Sequence, residues 1–174
     1  YSLMVDQNGG IIDDLIVYRN DDTDFLVIAN GANRLTVVDE LTSRSAAIEA
    51  RVAIQDNTES RCLIAVQGPA SLDILLSVID EEDRAAVAEL GYYLHGRYAL
   101  AGVPIHLART GYTGERGYEV MADANAAIQL WDIIATAGEA HGLQPCGLSA
   151  RDTLRLEAGM PLYGNELSRD VTPA

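Results

Sequence analysis

The sequence has 174 residues and a formal charge of −14, and all 12 of its basic residues are arginine. Such an acidic chain repels the phosphate backbone, which argues against general nucleic-acid binding. Its 48% hydrophobic and 22% charged residues are typical of a globular chain. No apolar run has the length of a membrane span, so we expect no contact with a membrane.

The first predicted element is a β-hairpin with two adjacent aspartates in its second strand. Residues 8–10 (Asn-Gly-Gly) have the residue types of a tight turn. Residues 11–18 are rich in β-branched residues, which predicts a strand. Because neighbouring side chains on a strand point to opposite faces, we expect Asp13 and Asp14 to have different environments. The residue types alone leave two interpretations open: one binding or reacting carboxylate, or two partly solvated acids.

The remaining elements mix strands and helices, which predicts an α+β fold with mainly antiparallel sheets and packed helices. The predicted strands cover residues 2–6, 11–18, 25–29, 51–55, 62–67, 92–98, 103–108 and 118–121. The predicted helices cover residues 34–50, 69–79, 81–90, 123–141 and 148–158. In the fourth helix we expect Asp123 to cap the first turn, and four side chains to be buried: Ile128, Leu130, Trp131 and Ile134.

A glycine-rich segment at residues 109–119 has the sequence RTGYTGERGYE, with glycines at three-residue spacing. A phosphate-binding loop would need a helix directly after it and a lysine, and the segment has neither. We therefore predict a structured loop that enters a short strand.

Two arginines on the last predicted helix, Arg151 and Arg155, are four residues apart and share a face. Such a pair can clamp an anion or a carbonyl group. Ordinary surface pairing with nearby acids such as Asp152 is the other interpretation.

The two cysteines and three histidines of the chain show no spacing typical of metal ligands, so no metal site is predicted. Cys62 lies in an apolar strand, where we expect an inert buried thiol. Cys62 and Cys146 are far apart along the chain and match no metal spacing. We expect a cytoplasmic protein, or one of another reducing compartment. Since the chain begins with Tyr1 beside a strand, we expect it to be a piece of a longer protein.

Three separated segments together resemble the T-protein of the glycine cleavage system, the aminomethyltransferase family. They are residues 9–18 (GGIIDDLIVY), residues 109–119, and residues 147–167 (GLSARDTLRLEAGMPLYGNEL). Residues 29–30 and 67–69 also fit in order and spacing, so the resemblance covers essentially the whole chain. Arg116 departs from it, because the family usually has an aspartate there.

The resemblance implies a reaction, a cofactor-like substrate and a partner. The family takes the aminomethyl group from the lipoyl arm of H-protein, releases ammonia, and transfers the carbon to tetrahydrofolate. By position, Asp14 matches the catalytic residue and Glu119 the glutamate that binds the pterin edge. The other positions that match folate-site or ligand-contacting residues are Tyr18, Asn30, Tyr112 and Arg151.

The resemblance also implies a division of the chain. We expect residues 1–50 in one folate-facing domain, residues 51–146 in a second, and residues 147–174 returning to the first. The amino-terminal part and the carboxy-terminal β domain of the family would lie outside this chain.

Two other functions stay open. One is the folate-binding module of a sarcosine or dimethylglycine oxidoreductase, whose flavin domain would lie elsewhere. The other is a non-catalytic folate-binding protein of the same superfamily. A serine or cysteine hydrolase is not expected, because no nucleophile motif has a convincing base.

Overall fold

The structure is a computed structural model that describes residues 1–49 and 51–173. Its chain packs into two units: Tyr1–Asp56 together with the segment that starts at Pro161, and Asn57–Met160. Ala50, the predicted end of the first helix, and Ala174, the last residue of the segment predicted to return to the first domain, lie outside the described residues. Both units combine antiparallel sheet with helix, which confirms the predicted α+β class.

The first unit contains a three-stranded antiparallel sheet in the order β1-β2-β3. The strands are β1 (Ser2–Val5), β2 (Ile11–Arg19) and β3 (Phe25–Ile28), and helix α1 (Arg34–Ala46) follows. Gly9 adopts a positive φ of 87° in the predicted turn. The core of this unit is formed by apolar side chains from β1, β2 and α1: Met4, Ile12, Leu15 and Val37.

Two predictions in the first unit are wrong. Residues 51–55 form no strand, because no other strand pairs with them and four of the five are exposed. The first helix ends at Ala46 rather than near residue 50. Leu35 and Ile48, two apolar residues of the predicted helix, are both more than half exposed. Periodicity identified the helix, but the sheet covers only the part of it around Val37.

The second unit contains a four-stranded antiparallel sheet in the order β4-β7-β6-β5. Its strands are β4 (Arg61–Gln67), β5 (His95–Leu100), β6 (Val103–Ala108) and β7 (Gly117–Asp123). Its helices are α2 (Ser71–Val78), α3 (Arg84–Ala88), α4 (Ala127–Gly138) and α5 (Leu148–Glu157). The sheet and helices α2 and α4 enclose a core that includes Leu75, Leu107, Val120 and Leu130.

The prediction for the fourth helix, which corresponds to α4, is partly confirmed and partly wrong. The Asp123 side chain accepts a hydrogen bond from the backbone N–H of Asn125, and so caps the 3₁₀ turn Ala124–Ala126 that leads into α4 rather than α4 itself. Leu130 and Ile134 are buried, but Ile128 is 78% exposed and Trp131 50% exposed. The helix is apolar over more than one face, and the sheet covers only one of them.

Two predicted elements of the second unit are shorter than expected. The strand predicted from residue 92 begins at His95, because Tyr93 has a positive φ of 62°, which breaks the extended backbone. The predicted helix at residues 81–90 is a short 3₁₀ turn, Glu81–Asp83, followed by the single turn of α3. Among the described residues, no helix has the length and apolar character needed to cross a membrane.

The packing units are a different division of the chain from the predicted folate-facing domains, which stay a prediction. Helix α5 groups with the second unit, and only the segment from Pro161 onward groups with the first. The prediction assigned both to the first domain. Within the second unit, the Arg151 side chain of α5 stacks on Tyr112 of the glycine-rich loop.

Candidate functional site

The first of two polar clusters surrounds Asp13, whose side chain is completely buried in the first unit. Its carboxylate accepts three hydrogen bonds from neutral amides. The backbone N–H of Asn30 lies 3.1 Å from Oδ2, and Nδ2 of Asn30 lies 2.9 Å from Oδ1. Nδ2 of Asn33 lies 3.0 Å from Oδ1. Asp13 therefore ties strand β2 to the turn that precedes α1.

Asp14, the predicted catalytic residue, is half-buried beside this cluster. Its Oδ1 accepts a hydrogen bond of 2.7 Å from Nδ2 of Asn30, which also lies 3.4 Å from the backbone oxygen of Asp14. The two aspartates differ in burial, as strand alternation predicts. They do not have separate surroundings, however, because one amide nitrogen binds both carboxylates. The end of β3 and the turn after it place Asn30 where it reaches both.

Tyr18, the other predicted folate-site residue of the first unit, is only 2% exposed. It is four residues from Asp14 on β2 and pairs with Leu26 of β3. Strand alternation points both side chains to the same face of the sheet. Tyr18 thus lies on the Asp14 face, but its ring is enclosed by protein.

The second cluster surrounds Glu119 in the second unit. Glu119 lies on β7, between Ala65 of β4 and Ala108 of β6. Its Oε2 accepts a short hydrogen bond from the hydroxyl of Thr110, which is 2% exposed. Both cross-strand neighbours of this half-buried carboxylate are alanines, whose side chains are small. Glu119 is therefore oriented by one buried hydroxyl.

The loop that carries Thr110 is held by Gln67, at the end of β4. Nε2 of Gln67 donates to the backbone oxygens of Thr110, at 3.3 Å, and of Tyr118, at 3.1 Å. A Cβ atom on Gly111 or Gly117 would overlap the end of this side chain. These two glycines are therefore required for the close approach of Gln67, which is their role in the repeated-glycine segment.

Tyr112 and Arg151, both predicted ligand contacts, meet in this unit. The guanidinium carbon of Arg151 lies 4.3 Å from the centre of the Tyr112 ring, a cation–π contact. Of the two interpretations of Arg151 and Arg155, the clamp of two arginines is not formed. Arg151 is exposed, whereas Arg155 is 2% exposed and binds Asp152 at 2.8 Å. The next turn of the chain covers Arg155, and its role is structural.

The charge of Glu119 contributes to the electrostatic environment of Tyr93. Burial raises the pKa of Tyr93 above its ordinary value, and contributions from Tyr92 and then Glu119 raise it further. Its backbone N–H donates to the oxygen of Arg109, which joins the segment to the glycine-rich loop. The sequence analysis did not identify Tyr93, because no local sequence motif predicts the positive φ that positions its side chain.

Comparison with known proteins identifies the family of this chain. The model of the GCVT N-terminal domain matches residues 1–174. The chain belongs to this family. A Streptomyces coelicolor protein named aminomethyltransferase is 50% identical over 99% of this chain and 45% of its own length. A Corynebacterium aurimucosum aminomethyltransferase is 46% identical over 99% of this chain and 46% of its own length. The chain thus spans about half the length of these relatives.

Solved structures agree with the family assignment. The crystal structure of glycine cleavage system aminomethyltransferase T from Bartonella henselae matches with a TM-score of 0.81 and 31% identity, over 99% of this chain and 44% of that one. A heterotetrameric sarcosine oxidase from a Corynebacterium species matches with a TM-score of 0.56 and 20% identity, over 80% of this chain and 65% of that one. The second likeness concerns the fold alone.

Within this GCVT-family chain, the segments that carried the sequence resemblance coincide with the two clusters. Asp14 and Asn30 are joined directly, and Glu119, Tyr112 and Arg151 are linked through the loop at Thr110. Sequence analysis did not identify Asn33, Thr110 or Gln67 as members of these clusters. For Gln67 a signal existed, because it precedes Gly68-Pro69 in a segment that fitted the resemblance.

Proposed function

We propose that this chain carries catalytic and folate-binding residues of a glycine cleavage aminomethyltransferase. In the proposed reaction, the methylene of aminomethyl-lipoyl H-protein is transferred to tetrahydrofolate as ammonia leaves. The proposal rests chiefly on one observation: a half-buried carboxylate, Asp14, is held by a hydrogen bond to Asn30 in a chain of the GCVT family. Its two substrates are accordingly lipoylated H-protein and tetrahydrofolate.

Asp14 has the chemistry that the transfer requires. As the carbon–sulfur bond to the lipoyl arm breaks, the carbon develops cationic iminium character, which a nearby carboxylate stabilises. The same carboxylate can orient the attacking folate amine and accept its proton. The bond from Asn30 keeps one oxygen in place during these steps. In this proposal, Asn30 therefore orients the reacting carboxylate of Asp14.

Glu119 is assigned to the pterin edge, which offers an N–H and an amino group side by side. A carboxylate accepts both hydrogen bonds, and leaving such donors buried and unpaired costs about 1–3 kcal/mol each. Thr110 donates to Oε2 and orients the group. Tyr112, with Arg151 stacked on it, supplies an aromatic surface and a positive charge in the same unit. Tyr18 is assigned to the folate site through its place on the Asp14 face of β2.

A cytoplasmic location forms part of the proposal. Cys62 and Cys146 are both free thiols, and Cys146 is exposed. Free thiols persist in reducing compartments, which supports this location.

The test compares Asp14→Asn with Glu119→Gln in the full-length protein, supplied with lipoylated H-protein and tetrahydrofolate. We expect Asp14→Asn to lower kcat by about 100-fold or more, because it removes the charge that meets the iminium. Its folate Kd should stay within about twofold of the parent. Glu119→Gln should instead raise the folate Kd by about 10-fold or more, for the loss of one or more charged hydrogen bonds.

Exposed acids provide matched controls for both substitutions. Asp22→Asn in the first unit and Glu115→Gln in the second make the same chemical change at exposed positions. Both controls should leave kcat and folate Kd unchanged. Full turnover in Asp14→Asn would refute the assignment of Asp14, and an unchanged folate Kd in Glu119→Gln would refute that of Glu119.

A further inference from the structure

The fully buried carboxylate of Asp13 is a feature that the proposed chemistry leaves without a role. The group is 0% exposed, and its hydrogen-bond donors in the cluster are neutral amides of Asn30 and Asn33. Transfer of an ionised carboxylate into a dry interior is unfavourable unless hydrogen bonds and charges compensate for it. An apolar residue would suit a strand core between Ile12 and Leu15 better, which indicates that Asp13 does more than fill space.

The contact that gives Asp13 a role is the side-chain amide of Asn30. An asparagine NH₂ group has two hydrogens to donate. Nδ2 of Asn30 lies 2.9 Å from Oδ1 of Asp13 and 2.7 Å from Oδ1 of Asp14. The two acids thus take the two hydrogens. The Asn30 backbone is fixed as well, because its N–H lies 3.1 Å from Oδ2 of Asp13.

We propose that Asp13 is a positioning residue, which holds the Asn30 amide so that Asn30 orients the carboxylate of Asp14. Bound to Asp13 at both its backbone N–H and its side chain, Asn30 has one orientation in which its remaining hydrogen points at Asp14. Without Asp13 the amide is able to rotate, and Asp14 loses its fixed donor. Asp13 acts only through Asn30 and does not touch substrate.

This inference rests on the proposed function of Asp14, and its effect should be seen in kcat rather than in folate binding. Misplacement of a reacting group by about 1 Å can reduce the rate by about 100-fold. In the full-length protein with lipoylated H-protein and tetrahydrofolate, we expect Asp13→Asn to lower kcat by about 10- to 100-fold. KM for tetrahydrofolate should stay within about twofold, because the pterin is assigned to Glu119. An unchanged kcat in folded Asp13→Asn overturns the inference.

The pathway through Asn30 is tested with a double-mutant cycle. If Asp13 acts through Asn30, then Asp13→Asn introduced into Asn30→Ala should reduce kcat no further than Asn30→Ala alone. Independent losses that multiply would contradict the inference. Val37→Ala, in the apolar core of the same unit, is the control for lost stability. It should lower Tm and leave kcat at the parent value.

Two further outcomes are separable. Should Asp13→Asn fail to fold, Asn30→Ala and Val37→Ala still decide the matter: a kcat loss of similar size in both overturns the inference. Asp14→Asn distinguishes this inference from the proposed function. If Asp14→Asn is inactive while Asp13→Asn is fully active, only the positioning role is wrong. If Asp14→Asn is fully active, the proposed function of Asp14 is wrong, whatever Asp13 does.

Discussion

The two polar clusters of this chain hold their central carboxylates in different ways. In the first unit, Asp14 is bound by the amide of Asn30, and that amide is bound in turn by a second, buried carboxylate, Asp13. In the second unit, Glu119 is bound by the hydroxyl of Thr110, whose loop is held by the neutral side chain of Gln67. A second acid therefore supports the first cluster, and neutral groups whose packing depends on two glycines support the second.

This difference agrees with the roles that we propose for Asp14 and Glu119. A group that meets developing positive charge benefits from a fixed orientation and a negative surrounding potential. A group that only recognises two donors benefits from directional hydrogen bonds, which a neutral hydroxyl can arrange. We therefore expect substitutions in the first cluster to change rate, and substitutions in the second to change affinity.

The largest expected effect on stability concerns the glycines beside the two clusters. At Gly10 a Cβ atom would overlap the backbone oxygen of Arg169, in a segment whose carbonyls accept the N–H of Ile11. At Gly117 it would overlap the end of the Gln67 side chain, which can move away. We expect Gly10→Ala to lower the free energy of unfolding by about 3 kcal/mol, and Gly117→Ala by about 1–2 kcal/mol.

Urea unfolding of the full-length variants measures both values. Gly31→Ala is the control, because a Cβ atom there meets nothing within 4 Å. A larger loss at Gly117 than at Gly10 would mean that Gln67 cannot move, and that the second cluster is the more rigid of the two.

A smaller effect is expected from the hydroxyl of Thr110. Thr110→Val keeps the shape of this buried side chain and removes the hydrogen bond to Glu119. Hydrogen bonds to charged groups contribute about 1.5–3 kcal/mol, so we expect the folate Kd to rise about 10-fold, with kcat at saturating folate unchanged. Thr110→Ser keeps the hydroxyl and should restore most of the affinity. Isothermal titration with tetrahydrofolate checks both; equal affinities for Val and Ser would show that the hydroxyl does not orient Glu119.

The smallest expected effect is a change in the pKa of Tyr93, near the second cluster. Burial, Tyr92 and Glu119, in that order, raise the pKa of Tyr93. The raised pKa of Tyr93 contributes to the free energy of unfolding. This contribution is complete at pH values below the unfolded pKa near 10, and it is lost as the pH rises through the higher pKa of the folded state. Glu119→Gln removes one of the causes and should move the pKa of Tyr93 back toward its ordinary value.

NMR titration of ¹³C-labelled tyrosine measures this shift, and Tyr93→Phe assigns the signal. The pKa of Tyr98 is also raised, by burial and then by Asp83, and it should not respond to Glu119→Gln. An unchanged pKa of Tyr93 in Glu119→Gln would mean that Tyr93 and Glu119 do not interact. Tyr93 would then not belong to the second cluster.

Much of the fold could be predicted, because local chemistry decides it. Residues 8–10 specify the first turn, and the β-branched residues of positions 11–18 specify β2. Helix α5 ends at Glu157, close to the predicted residue 158, and Gly159 follows with a φ of 71°. The α+β class followed from the order of these elements. Motifs also located most of the residues that now form the two clusters, since the resemblance covered the whole chain.

What the sequence by itself determined was therefore the order of elements, the turns and the family. Only the tertiary structure decided that Asp13 is the buried acid of the pair, that Asn30 binds both acids, that Arg155 is structural while Arg151 is exposed, and that Trp131 faces outward. The physical reason is that propensity and periodicity act between near neighbours along the chain. Burial and hydrogen-bond partners depend on segments that are distant in sequence, such as β2 and the turn at Asn30.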